Sequence, residues 1–153
     1  MNFITRSLIA SLLIMCFAAC SSDDTPDRPA ADVVAGTYTC TGSGTSQITD
    51  MNLTNDQKVI ITKISDSKVK VEYNIDYNGM SFGTFMTDDA TVTVDKKTDI
   101  ASINGTGTVS MGMGDKLKDY ACTMSGKISE DKKDVEFIFT ISEVMGGLKI
   151  TLH

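Results

Sequence analysis

Few side chains in this 153-residue chain could act on a substrate. It has one histidine, His153, at the last position. A nucleophilic triad needs a base that a third group holds in place, and a terminal imidazole is poorly suited to that. Carboxylate pairs stand at Asp88-Asp89 and Glu130-Asp131. Adjacent residues in turns point apart into solvent, which suits neither calcium binding nor glycoside hydrolysis. Zinc needs three or four clustered ligands, more than one His and scattered Cys provide. Gly112-Met113-Gly114-Asp115 lacks the lysine and the strand-to-helix setting of a phosphate loop. The sequence therefore predicts no catalytic residues, no metal, no cofactor and no enzymatic activity.

The chemistry that remains is that of cysteine. Cys20 closes the stretch Phe17-Ala18-Ala19-Cys20, behind Arg6 and a run from Leu8 that is apolar apart from Ser11. That run of about a dozen residues is too short for a bilayer core, which takes roughly 20. The order basic, apolar, small, Cys is similar to bacterial lipoprotein signals and predicts a signal peptide over 1–19. Cys20 then becomes the first mature residue, carrying a diacylglyceryl thioether and an amide-linked acyl chain. Each buried methylene contributes roughly 0.8 kcal/mol, so two or more chains anchor stably where one does not. Ser21-Ser22-Asp23-Asp24 resembles the short acidic export signal of many Bacteroidetes lipoproteins. It implies a lipid anchor in the outer membrane with the protein facing the cell surface; a periplasm-facing anchor is the alternative.

Cys16 leaves with the signal, so Cys40 and Cys122 are the candidate disulfide pair, in a compartment where disulfides persist. The alternative is two buried thiols acting as small hydrophobes. Residues 20–32 are polar and acidic and hold both prolines, Pro26 and Pro29. Such a segment buries too little apolar surface to offset its ordering entropy and is expected as an extended, disordered tether. The net charge is −6, and removing residues 1–19 takes away only Arg6 among the charged side chains. An acidic chain without a Lys/Arg stripe is a poor nucleic-acid binder.

Residues 33–153 read as one domain with no proline. Apolar and polar residues alternate with period 2, the pattern of half-buried strands. In Lys68-Val69-Lys70-Val71-Glu72-Tyr73-Asn74-Ile75 the four apolar side chains share one face, which fixes the register. Asn78-Gly79 predicts a tight hairpin turn. A first strand is expected from Val34 to Thr41, and separate strands over 80–86 and 90–95. A long strand from Ile100 to Met113 carries Gly105 and Gly107 on one face, as a bent strand requires. Residues 49–56 and 114–117 are the helix candidates. Eight or nine strands with short turns make an all-β antiparallel barrel or sandwich, and closure into a barrel removes exposed edges.

Val34-Ala35-Gly36-Thr37-Tyr38-Thr39, the strand Ile103-Asn104-Gly105-Thr106-Gly107 and the strand count together resemble the calycin-like β-barrel domains of Bacteroidetes lipoproteins. The resemblance spans most of 33–153 and implies a lipocalin-like barrel of about eight strands able to hold a small ligand, with no catalytic residues to carry over. Barrels of this size either fill their interior with side chains or hold one small ligand. Met80, Phe82, Phe85, Met111 and Met113 are the candidate pocket near one mouth, and methionine adapts to varied apolar partners. The plainer reading, and the favoured one, is that the same residues are simply core. The expected function is binding of a small apolar ligand or of a surface partner of unknown identity, with the membrane engaged through the lipid. The alternative is a structural or interaction module whose filled core leaves no pocket.

Overall fold

The computed structural model describes residues 28–112 and 115–153; Cys20, the signal peptide and Met113 lie outside them. A short helix α1 (Ala30–Val34) precedes eight strands: β1 (Gly36–Thr45), β2 (Asp50–Lys63), β3 (Lys68–Tyr77), β4 (Met80–Asp95), β5 (Ile100–Met111), β6 (Lys118–Ser129), β7 (Val135–Ile141) and β8 (Leu148–Leu152). Each strand pairs antiparallel with the next, and β8 returns to β1 to close the barrel. The expected all-β antiparallel barrel is therefore present.

The alternating pattern explains most of it. Val69, Val71, Tyr73 and Ile75 of β3 are all buried, as period 2 requires. Asn78 and Gly79 take φ of 55° and 78°, the two left-handed positions of a type I′ hairpin. The interior is packed. Phe139 stacks against Tyr73 at 4.8 Å and against Phe85 at 5.0 Å between ring centroids, and Tyr38 meets Phe137 at 5.6 Å. Each such ring fully removed from water stabilises the fold by roughly 1.5–3 kcal/mol. Gln57 is the one fully buried polar residue, and its amide is satisfied. Its Oε1 accepts from the Tyr73 hydroxyl (2.8 Å) and the Asp76 N–H (3.1 Å), while Nε2 donates to the carbonyls of Asn55 (3.1 Å) and Asp76 (2.9 Å).

The two ends differ. Because the chain runs up and down, the β2–β3, β4–β5 and β6–β7 turns share one end with α1. The β1–β2, β3–β4, β5–β6 and β7–β8 loops share the other. At the first end α1 acts as a plug. Ala31 and Val34 are fully buried, the Ala31 N–H donates to the Asp66 carbonyl (3.0 Å), and the Tyr38 hydroxyl donates to the Val34 carbonyl (2.6 Å). Lys132 Nζ reaches across to the Ala35 carbonyl (2.8 Å).

Four local expectations are corrected. Val34 ends a helix instead of starting a strand, because the Tyr38 hydroxyl and Asp66 hold that turn down. The same helix takes in residues 30–32, which the sequence assigned to the disordered tether. Residues 50–56 of the first helix candidate belong to β2, with Met51 and Leu53 buried at strand spacing; Asp115, Lys116 and Leu117 of the second form a turn and irregular chain. The strands expected at 80–86 and 90–95 are one strand, β4, interrupted by a bulge. Opposite β5 the pairing steps from Met86–Thr108 to Thr91–Asn104, so β4 carries one extra residue. Inward parity is odd through Thr87 and even from Ala90. Buried Thr87 supports the bulge by donating to the Thr106 carbonyl (2.7 Å).

The bulge presses β4 onto β5 where Gly107 stands. A Cβ there would lie 2.2 Å from the Met86 carbonyl oxygen and 2.9 Å from the Phe85 ring. Backbone cannot give way as a side chain tip can, so Gly107→Ala is expected to cost about 3 kcal/mol of stability. Thr106→Ala, at an exposed neighbour, should change it by less than about 0.5 kcal/mol. Urea denaturation of both variants checks the contrast; equal midpoints would refute the close approach.

Candidate binding site

At the loop-bearing end the top of the barrel interior is left open as a recess of about 590 Å³. Its walls come from the last inward-facing positions of three strands. Tyr77 continues the inward row of β3, Met111 that of β5, and Tyr120 opens that of β6. Val144 closes one side from the β7–β8 loop, and Met80, Ser81 and Phe82 the other from the β3–β4 hairpin. Phe82 is placed there by a second irregularity: β3 pairing steps from Ile75–Gly83 to Asp76–Ser81, which leaves Phe82 as the extra residue of β4. Ser81 Oγ donates to the Asn74 side-chain oxygen (2.7 Å), so its polarity is satisfied within the hairpin. Lys118 Nζ sits 4.9 Å from the Tyr120 ring centroid, a cation over an aromatic face.

Of the five residues expected to line a pocket, the structure brings Met80, Phe82 and Met111 together. Phe85 is excluded. It lies at inward parity one layer deeper, is fully buried, and packs edge-on against Phe139 as core. Three residues apart, Phe82 and Phe85 would face opposite sides of a regular strand; the extra residue at Phe82 turns both inward, but at different depths. Met113 lies outside the described residues. Tyr77, Tyr120 and Val144 complete the site without having been singled out. The two tyrosines were visible as inward members of their strands, but nothing in the sequence placed a β7–β8 loop residue beside them.

Two other recesses lie at the plugged end. One, of about 790 Å³, borders the entry of the chain, where Ala30, Val33 and Val94 form an apolar floor rimmed by Arg28, Asp66, Lys96, Asp99 and Glu130. The other, of about 430 Å³, includes Ile100, Lys127, Glu136 and His153. The His153 backbone is pinned by reciprocal hydrogen bonds with Thr41 (2.9 and 3.0 Å), yet its imidazole is exposed and unpaired among the described residues. Asp89 sits on the β4 bulge in an ion pair with Lys68. Hydrogen bonds from the Ser129 hydroxyl (2.7 Å) and the Lys133 N–H (3.1 Å) hold the Asp131 carboxyl below its ordinary range. No group of three or more His, Cys, Asp or Glu suited to a metal ion occurs among the described residues.

Cys40 and Cys122 are both free thiols, buried in the barrel interior. They sit on β1 and β6, which do not pair; β7 and β8 separate them on one side. The candidate disulfide is thus not formed, and the thiols pack as small hydrophobes. Burial pushes the Cys122 thiol up to about 12, partly offset by a backbone hydrogen bond from Thr140, and raises Cys40 as well. Burial likewise pushes the Tyr38 phenol up to about 12.

The sequence profile of the calycin-like β-barrel domain matches residues 34–153. No curated protein matches the chain. Among solved structures, a crystal structure from Bacteroides fragilis NCTC 9343 bearing the name "putative outer membrane protein" is similar, at 26% sequence identity and a TM-score of 0.59. The match covers 79% of this chain and 44% of that one, so this chain spans less than half of its length.

The Cys122 thiol and the Tyr38 phenol make stability fall at alkaline pH. In the unfolded chain such groups lose their protons near their ordinary values, roughly 8.5 for Cys and 10 for Tyr, while the folded state keeps these two to about 12. The folded state therefore binds more protons between those values, and stability falls as pH rises. Urea midpoints should be flat from about pH 6 to 8 and then drop, at up to about 1.4 kcal/mol per pH unit for each group. A midpoint that holds or rises above about pH 10 would contradict the burial of these groups.

Proposed function

Since the chain belongs to the calycin-like β-barrel domain family, we propose that it is a lipid-anchored envelope protein binding a small apolar ligand at the open mouth of its barrel. The observation that carries this reading is the recess of about 590 Å³ walled by Met80, Phe82, Met111, Tyr77 and Tyr120. It is apolar, of ligand size, and sits above an interior already filled by Tyr73, Phe85 and Phe139. The ligand is thus taken at the rim and not in the depth of the barrel, and the protein performs no reaction on it.

On this reading the tether joins the described chain at the end opposite the recess. The chain enters at Arg28, beside the plug, so a lipid on Cys20 leads to the plugged end. The spacer between Cys20 and Arg28 can extend at most roughly 30 Å. The mouth then faces away from the membrane that holds the lipid, toward ligands arriving from the aqueous side. The name of the Bacteroides fragilis relative supports an outer-membrane address, and Ser21-Ser22-Asp23-Asp24 supports the cell surface over the periplasm.

The filled interior favours a second reading, an interaction module acting through its loops. Ile48, Met80 and Leu117 are the most exposed large hydrophobics described, at 74%, 69% and 66%; Ile48 and Leu117 stand on loops of the open end and Met80 opens β4 there.

Two measurements test the proposal. Replacing Cys20 with alanine should abolish incorporation of labelled palmitate and move the protein from the membrane pellet to the soluble fraction; retained label refutes the anchor. Nile red should bind the purified barrel at one site. Met80→Glu, at an exposed position that leaves the core intact, should weaken it about fivefold, since half-burying a Met side chain is worth roughly 1 kcal/mol. A barrel that takes up neither dye nor co-purifying ligand in native mass spectrometry leaves only the interaction module.

A further inference from the structure

We propose that the mouth pocket selects an uncharged ring compound bearing an acceptor oxygen, which the hydroxyls of Tyr77 and Tyr120 hold. The inference rests on the ligand-binding reading above. Both tyrosines occupy inward positions, on β3 and β6, strands separated by β4 and β5, so they approach the recess from two sides. Both rings are half-buried and packed against the core. Neither hydroxyl has a hydrogen-bond partner among the described residues. They differ in this from Tyr38 and Tyr73, whose hydroxyls donate to the Val34 carbonyl and to Gln57. Neither is a buried orphan, so each hydroxyl reaches water that a ligand oxygen could replace. Here the two free donors stand in an apolar lining whose one other hydroxyl, that of Ser81, already donates to Asn74.

The rest of the lining defines the body of the ligand. Met80 and Met111 offer thioethers and Phe82 an aromatic face, which suit a flat ring system through sulfur–aromatic and ring–ring contact. Charge around the mouth argues against an anion. Asp115 and Asp119 lie in or beside the β5–β6 loop and Glu143 in the β7–β8 loop, against Lys116 and Lys118. Lys118 is already engaged over the Tyr120 ring. A carboxylate ligand therefore meets more negative than positive charge, whereas a ketone or ether oxygen accepts both phenolic protons without that penalty.

Three probes with one ring system separate the contributions: naphthalene, 2-acetylnaphthalene and 2-naphthoate, each titrated into the mature domain by equilibrium dialysis. The expected result is 2-acetylnaphthalene binding about tenfold tighter than naphthalene, the worth of two modest hydrogen bonds, with 2-naphthoate weaker than 2-acetylnaphthalene. In the Tyr77→Phe/Tyr120→Phe double variant the tenfold preference should vanish while naphthalene affinity stays unchanged. The single variants, each expected to lose about threefold, serve if the double variant fails to fold by circular dichroism. Equal affinity for naphthalene and 2-acetylnaphthalene overturns the acceptor-oxygen assignment and leaves the apolar pocket standing. Tightest binding of 2-naphthoate overturns it in favour of an anionic ligand. Failure of all three probes to bind overturns the ligand-binding reading itself, and this assignment with it.

Discussion

The pairing of β8 with β1 is the constraint on which the rest of the molecule depends. It runs from Gly42–Leu152 to Thr45–Lys149 and is extended by the reciprocal hydrogen bonds of Thr41 and His153. Gly42 is required there: a Cβ would stand 2.0 Å from the Thr151 carbonyl oxygen and 2.9 Å from the Leu152 Cα. Without closure the sheet would expose the edges of β1 and β8 to other chains. With closure the interior becomes a fixed volume, and eight strands enclose little more than their own side chains can fill. The packing of Tyr73, Phe85, Phe137 and Phe139 follows from that geometry, and so does the position of the ligand site. When the depth of the barrel is occupied, the concavity left to its interior at the loop-bearing end is where the inward rows end.

Each end of the barrel solves this termination problem differently. At one end the last inward layer is covered by α1, five residues too short to be stable alone. The helix persists because Ala31, Val34, the Tyr38 hydroxyl and the Asp66 carbonyl hold it from four sides. At the other end the inward rows finish on Tyr77, Met111 and Tyr120, with no helix over them among the described residues. The asymmetry also fixes polarity, since the chain arrives at the covered end.

What could be read from the sequence follows from how local each cause is. The β3 strand and the Asn78-Gly79 turn rest on period 2 and on backbone preferences of two adjacent residues, and both were legible. The unity of β4 was not. Thr87 occupies an inward position with a polar side chain, and the parity of inward residues flips across Asp88-Asp89, so the alternation breaks there. Only the Thr106 carbonyl and the absent Cβ of Gly107, both on β5, show that the strand continues. Gln57 is hidden for the same reason, because its partners Tyr73 and Asp76 are on β3. Of the candidate pocket, Met80, Phe82 and Met111 were recoverable as apolar residues near predicted turns. Phe85 was misassigned because its depth is set by Phe139, a partner on β7 that nothing local in the sequence places against it.

The unpaired cysteines bear on the same contrast between depth and rim. Two cysteines within one domain invite a staple, yet the barrel does not need one. Closure by backbone pairing already joins the first strand to the last, and this long-range constraint is the kind a disulfide would supply. Cys40 and Cys122 instead fill space among aromatic rings, where burial keeps both thiols protonated and unreactive. Tyr38 and Tyr73 follow the same rule, with their hydroxyls committed to protein partners inside the fold. Tyr77 and Tyr120 stand where that commitment stops. They share the inward register of the core tyrosines but lie one layer beyond the last side chain that could satisfy them. A closed barrel with a filled interior leaves polar function only at this boundary, where side chains are still positioned by the core and are no longer saturated by it.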